Sequence, residues 1–353
     1  MAPSRKEEAE KILFGIDEAW LDKHREEILD PDLPIIDPHH HLWDRGSRYL
    51  FDELRRDIGG GHDIRATVYL QCDSMYRAGA DPALAPVGET EFVNGVAAMS
   101  ASGFYGPARL CAGIVGFADM LLGARVEPVI EAHLRTAGDR FRGLRHCSVW
   151  DADPSIRTTP HAYPQGMLLD RAFREGFARL APHHLSFDAW LYHTQIPELA
   201  DLARAFPDTT IVLDHVGAPI GIGVYAGKRR EVFEAWRRNI EELARCPNAN
   251  VKLGGFGMQV FGFGFDERDV PVSSEELAEA WRPYAEAAIV AFGPERAMFE
   301  SNFPVDKRSC SYAVLWNAFK RIARRYSADE KTALFSGTAR RVYRLPSSST
   351  EAG

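Results

Sequence analysis

The stretch Ile35-Ile36-Asp37-Pro38-His39-His40-His41-Leu42-Trp43-Asp44 joins a short apolar run to a polar, histidine-rich end. Alternate side chains of a strand share a face. Asp37, His39 and His41 are therefore expected to point together, and His40 to point away and be structural. Three of the chain's 12 histidines stand here in succession. That favours chemistry over a polar loop that happens to be histidine-rich. Two imidazoles at i and i+2 can chelate a divalent ion or bracket one polar substrate.

Outward from this point the pattern repeats. Short β-branched or apolar runs alternate with longer amphipathic ones, the sign of βα units and a parallel sheet. Strands are expected at 33–37, 64–71, 109–115, 141–149, 185–192, 210–213, 250–253 and 297–299. Helices are expected at 126–137, 167–180, 196–205, 229–244, 274–292, 311–325 and 328–335. In the helix at 229–244, Val232, Phe233, Trp236, Ile240 and Leu243 fall on one face at helical spacing. The α/β reading is a single (β/α)8 TIM barrel over 33–345. It is preceded by an N-terminal helical extension, 1–32, and followed by a flexible tail, 346–353.

Composition narrows the partners. Of 353 residues, 45% are apolar and 26% charged, enough apolar material for a large core and against extensive disorder. The net charge of −8 argues against a nucleic-acid or anionic-membrane partner, which needs a basic face. The N-terminus is charged and lacks the apolar core of a secretory signal, and no run reaches the 18 apolar residues of a membrane span. The cysteines Cys72, Cys111, Cys147, Cys246 and Cys310 are scattered and form no C-x-x-C pair. They suit a reducing compartment, so a cytoplasmic location is expected. The expected partner is a small, acidic molecule. Surface aromatics would suit a homo-oligomer, although no motif specifies one.

Further chemistry sits at other strand ends: Asp214-His215-Val216-Gly217, Tyr192-His193-Thr194-Gln195, Arg142-Gly143-Leu144-Arg145-His146, and Phe299-Glu300-Ser301-Asn302-Phe303-Pro304-Val305-Asp306-Lys307. A parallel barrel gathers all its C-terminal strand ends at one face. His39, His41, His193 and His215 can therefore converge, each weighed against a histidine satisfied by a carbonyl. Arg145 offers a planar fork suited to a carboxylate, with an ordinary salt bridge as the alternative. Its neighbour His146, together with His193, joins it as a candidate for substrate binding. The run Gly254-Gly255-Phe256-Gly257-Met258 through Phe265 reads as a mobile, aromatic-lined loop over the pocket. The motifs H-E-x-x-H, G-x-S-x-G and G-x-x-x-x-G-K-[ST] are absent.

The ordered set IIDPHHHLWD, RGLRH, VLDHVGAP, VKLGG and MFESNFPVD resembles the amidohydrolase-2 group of the amidohydrolase superfamily, which includes sugar lactonases and the pyrone-dicarboxylate lactonase. The resemblance runs from about Pro34 to Leu345 and implies a (β/α)8 barrel and hydrolysis. It implies His39, His41 and His215 as metal ligands and Arg145 as a carboxylate clamp. Asn302 falls where the group's pattern has a water-activating aspartate. A neutral amide orients but cannot take a proton. Either the base has moved, to Asp306, Glu300 or a histidine, or a metal supplies hydroxide. His215, Asn302 and Asp306 are thus the catalytic candidates. One Zn²⁺ or Mn²⁺ is the implied cofactor, with metal-independent activity as the alternative. Lys252 matches a lysine of the group, and its carbamylation is disfavoured. The expected activity is a hydrolase opening a lactone or related C–O or C–N bond of a carboxylate-bearing substrate. A non-oxidative decarboxylase and a non-catalytic binding module are the other readings.

Overall fold

The structure is a computed structural model that describes residues 15–156, 158, 159 and 161–346. Eight parallel strands follow one another around the sheet in chain order: β1 Ile35–His40, β2 Ile64–Leu70, β3 Arg109–Gly116, β4 Phe141–Cys147, β5 Ser186–Trp190, β6 Ile211–Leu213, β7 Ala249–Leu253 and β8 Ala297–Phe299. The ring closes just beyond β8. The Asn302 amide donates to His39 O at 2.9 Å, and the His41 amide donates to Phe303 O at 2.7 Å. The closing seam therefore runs through the histidine motif itself. This is the expected (β/α)8 barrel.

The helices around the strands are α1 Phe51–Ile58, α2 Val87–Ala101, α3 Glu127–Ala137, α4 Arg171–Phe177, α5 Ile196–Ala205, α6 Arg229–Ala244, α7 Ser274–Phe292 and α8 Tyr312–Ile322, and short helices at Ala328–Thr332 and Thr338–Val342 follow α8. Burial of Val232, Trp236, Ile240 and Leu243 places the apolar stripe of α6 on the sheet, with Phe233 half-buried beside it. α7 begins with a capping box, in which Ser273 Oγ accepts the Glu276 amide and Glu276 reaches back to the Ser273 amide.

Sequence periodicity does not show α1, α2 or the small hairpin of Trp43–Arg45 and Ser47–Tyr49. α2 is buried around much of its girth and carries two glycines, so it presents no stripe. One of them, Gly88, lies so close to the loop before it that a Cβ would stand 2.6 Å from Met75 O. The helix expected at 167–180 is shorter. A turn at Met167–Leu169 precedes Asp170, whose extended backbone and capping side chain start α4. Of the expected N-terminal helical extension, the described part contains a single turn, Glu18–Leu21. Residues 1–14 and 347–353 lie outside the described residues.

The core has two layers. Inside the barrel, Ile36, Val68, Leu70, Val115, Val212 and Met298 pack against Val342, Tyr343 and Leu345 from the C-terminal segment. A larger layer fills the space between sheet and helices. With one end of the barrel packed, the polar chemistry is left to the other. Among the described residues no helix is long and apolar enough to cross a membrane.

Candidate active site

The C-terminal strand ends surround a cavity of about 150 Å³, lined in part by His41, Gln71, Arg145, Trp190, His215 and Asn302. His39 lies just beneath, fully buried. Its Nε2 stands 3.2 Å from His41 Nε2, and its ring centroid lies 4.5 Å from that of His215. The two neighbouring imidazoles of the first strand end and a third from far along the chain thus meet at one floor.

Each of the three is oriented through Nδ1. His41 Nδ1 contacts Leu70 O at 2.8 Å. His215 Nδ1 contacts Glu300 Oε1 at 2.7 Å, and the His215 main-chain amide donates to the same oxygen. His39 Nδ1 lies 2.7 Å from Glu300 Oε2. Carbonyls and carboxylates only accept, so the contacts of His41 and His215 place their hydrogens on Nδ1 and leave Nε2 as a lone pair, whereas His39 Nδ1 faces both the Glu300 carboxylate and the Lys252 ammonium, which only donates, and either of its nitrogens can carry the hydrogen. Burial, together with Lys252 for His39 and Arg145 for His41, pushes both imidazoles well below the ordinary histidine pKa, so they are neutral. The His41 Nε2 lone pair stands 3.2 Å from His39 Nε2: with its hydrogen on Nε2 His39 donates to it, and with its hydrogen on Nδ1 two lone pairs face each other and a cation fits between them. This donor set fits a divalent ion, with the outer nitrogens held as ligating histidines are held. His39, Asp214 and His215 also bring ligand atoms within 4.8 Å of one another.

Lys252 sits beneath this floor. Its ammonium lies 2.7 Å from Asp188 Oδ2, 3.0 Å from Asp214 Oδ1 and 3.2 Å from His39 Nδ1. Burial opposes its charge, but Asp188 and Asp214 outweigh burial and raise its pKa. An ammonium is not a nucleophile toward CO₂, which agrees with the disfavoured carbamylation. Against burial, Lys252, His215 and Arg145 hold Asp214 low, whereas burial carries Asp188 upward. Charged residues inside otherwise apolar strands, Asp188 in SFDAW and Lys252 in ANVKL, were the sequence signal for this buried network.

The structure separates the remaining candidates. Arg145 reaches the floor, but its fork is engaged. Nη2 donates to Gln71 O, while Nη1 lies 3.5 Å from His39 Nε2 and 3.9 Å from Asp214 Oδ2. His146, next along β4, necessarily faces outward and packs on Phe117 and Phe173. His193 lies in the turn after β5, packed on Tyr225. Neither lines the cavity. Asp37 is drawn into the seam, where Ser301 and Tyr312 donate to it. It does not share the mouth with His39 and His41. His40 faces Thr67, away from the site, as expected.

Asn302 lines the cavity with Asp306 behind it. Asn302 Nδ2 donates to Asp306 Oδ1 at 2.8 Å, and the Gly257 amide donates to Oδ2 at 2.9 Å. Burial raises Asp306 to about 7. Glu300 is held down at about 2 by His215 and His39, which outweigh burial. Glu300 is therefore an anchor and a poor base.

The glycine run is not a loop laid over the pocket. A Cβ on Gly254 would stand 2.4 Å from Glu300 Cγ, on Gly255 2.5 Å from the His215 ring, and on Gly257 2.9 Å from Asp306 Cγ. The three glycines let the backbone pass directly behind three groups of the site. Phe256, Phe261 and Phe265 are buried in the core, and Met258 is the member of this run that lines the cavity.

Residues 36–345 match the amidohydrolase family. The chain is 35% identical over 338 residues to the uncharacterized protein y4mH of Sinorhizobium fredii, spanning 89% of this chain and 99% of that one. It is 28% identical over 324 residues to an L-fucono-1,5-lactonase of Burkholderia multivorans, 88% of this chain and 96% of that one. A crystal structure of a Burkholderia multivorans amidohydrolase with bound zinc superposes with a TM-score of 0.67 at 26% identity, covering 88% of this chain and 99% of the other. The barrel, the strand-end histidines and this likeness over most of the chain together establish that the chain belongs to the amidohydrolase family and is a hydrolytic enzyme of it.

Proposed function

We propose that the protein opens the ring of a small lactone by adding water at the histidine floor. The observation that carries this reading is the His215–Glu300 pair beside the facing His39 and His41. A carboxylate fixes Nδ1–H of an imidazole whose Nε2 is free, the arrangement of a general base whose imidazolium is stabilised as it forms. His215 Nε2 takes a proton from the attacking water, and Glu300 compensates the charge. Asn302, its Nδ2 occupied by Asp306, presents its oxygen to orient that water. Arg145 supplies positive charge where the carbonyl oxygen becomes an oxyanion. The same imidazolium then returns its proton to the leaving ring oxygen.

His39 and His41 would hold a divalent cation through Nε2, and such an ion would polarise the carbonyl and lower the pKa of water to about 7. The sequence resemblance makes His215 a third ligand; its double hold on Glu300 suits it better to proton transfer. The lactonase name of the Burkholderia multivorans relative supports lactones as the substrate class. The test is ring opening followed by NMR and acid release, using purified protein, sugar and aromatic-acid lactones, and added Zn²⁺, Mn²⁺ or chelator. His215→Ala is expected to lower kcat by about 10²–10⁴-fold. No opening under any metal condition, or CO₂ release from an unsaturated acid instead, overturns the reading.

A further inference from the structure

Gln71 lies directly after β2 and lines the cavity, and its side chain has no part in the contacts described above. It is 5% exposed, and its side-chain oxygen is buried with no hydrogen-bond partner among the described residues. A buried amide acceptor left unpaired in a site is a group whose partner arrives with the ligand. Its position is fixed by the site itself. The carbonyl of Leu70 holds His41 Nδ1, and the carbonyl of Gln71 receives Arg145 Nη2. The side chain therefore begins within one residue of two groups at the reacting floor. Its terminal torsion is soft, so the amide can turn either its oxygen or its nitrogen toward a ligand.

The charges nearby determine what that ligand group is. Two cations stand at this wall and both are engaged: Arg145 is faced by Asp214, and Arg45 donates to the carbonyl of Cys72. On the rim, His161 Nε2 lies 3.1 Å from Asp73 Oδ2, and both residues line the cavity. A substrate carboxylate placed here would meet Asp73 and compete with Asp214. A neutral hydroxyl would meet an amide with hydrogen-bonding capacity to spare. Trp190, in a T-shaped contact with His215 at 4.8 Å between ring centroids, also lines the cavity and supplies apolar surface for the carbon side of such a ring.

We propose that Gln71 is a specificity-determining residue that hydrogen-bonds a ring hydroxyl of the substrate, which makes the substrate class polyhydroxylated, sugar-type lactones rather than lactones presenting a carboxylate at this wall. This rests on the lactone-opening reading and deepens it. On this reading a neutral hydroxyl is recognised next to a compensated arginine, where the sequence resemblance implies a carboxylate held by Arg145.

The experiment compares six-carbon aldonolactones with their single-deoxy analogues, using wild type and Gln71→Met, which keeps length but has neither donor nor acceptor. Wild type is expected to prefer the hydroxylated lactone over one of the deoxy analogues by about 10–100-fold in kcat/KM. In Gln71→Met that ratio is expected to collapse toward 1, and Gln71→Glu, which keeps an acceptor oxygen, is expected to recover part of it. A merely structural residue would lower both substrates together and leave the ratio intact, and that result overturns the proposal. So does opening of carboxylate-bearing lactones in preference to hydroxylated ones, which would leave lactone hydrolysis itself standing. A second measurement, the shift in Tm produced by the matching open-chain hydroxy acids, needs no turnover. If no lactone opens but wild type discriminates these acids and Gln71→Met does not, hydrolysis fails and the Gln71 assignment stands. If neither turnover nor the Tm shift discriminates hydroxyls, the assignment fails.

Discussion

At Gly255 the backbone has φ +68, and the missing Cβ leaves room for the His215 ring. Both facts require glycine, one for the left-handed backbone and one for the close approach. Gly255→Ala is therefore expected to push His215 off Glu300 and to lower kcat by about 10²-fold, in line with the cost of an ångström-scale misplacement. Kinetics and the His215 NMR signal check this, and an unchanged kcat would show that the ring tolerates displacement. Asp306 allows a prediction with a definite sign. Burial raises its pKa from 3.8 to about 7. Between about pH 4 and pH 7 the unfolded chain ionises this group while the folded chain keeps it protonated. Its contribution to stability is therefore present in acid and lost as pH rises through that window. Asp306→Asn cannot ionise, so its stability relative to wild type is expected to improve with pH, at a slope approaching about 1.4 kcal/mol per unit. Urea unfolding at pH 5 and 7.5 reads the difference, and a difference that does not change with pH contradicts it.

Among the elements, α2 does more than cover the sheet. Glu89, in its first turn, accepts the Cys72 amide at 2.8 Å, the Ser74 amide at 3.1 Å and the Tyr69 hydroxyl at 2.7 Å. This one carboxylate shapes the loop after β2, where Asp73 and Met75 both have positive φ. Gly88 beside it lets that loop lie against the helix. Glu89→Ala leaves three donors without their acceptor. It is expected to cost about 1–3 kcal/mol of stability and to raise KM more than it lowers kcat, because the loop carries part of the cavity wall and none of the histidines. Steady-state kinetics beside a urea titration test this, and a kcat loss with KM intact would place Glu89 in the chemistry instead. The same elements show what periodicity can reveal. α6 has a clean apolar stripe and is legible. α2, buried on several sides, has none, and its helical form is decided by what packs around it.

For the whole molecule, the ring of strands is shut at the β1–β8 seam. Asp37 is its polar lock, accepting the Ser301 amide at 3.0 Å, the Ser301 hydroxyl at 2.6 Å and the Tyr312 hydroxyl at 3.0 Å. Asp37→Ala is expected to cost on the order of 3 kcal/mol, because it strands buried donors just beyond β8 and at the start of α8. Loss of the seam is also expected to weaken the site, since His39 and His41 share their main-chain bonds with Asn302 and Phe303. Denaturation with parallel activity assays would show the two falling together, and full activity at wild-type stability would mean the seam holds without Asp37. The amino-acid order by itself determined the alternation of strands and helices, the barrel that follows from it, and the strand ends at which histidines stand. These are periodic and local properties, set by side-chain spacing along one element. Tertiary structure alone decided which of those histidines meet, that Asp37 locks the seam, that His193 lies in a turn outside the cavity, and that Lys252 balances buried carboxylates beneath the floor. Each of these depends on strand stagger around a closed ring and on contacts between residues tens to hundreds of positions apart, which no local spacing encodes.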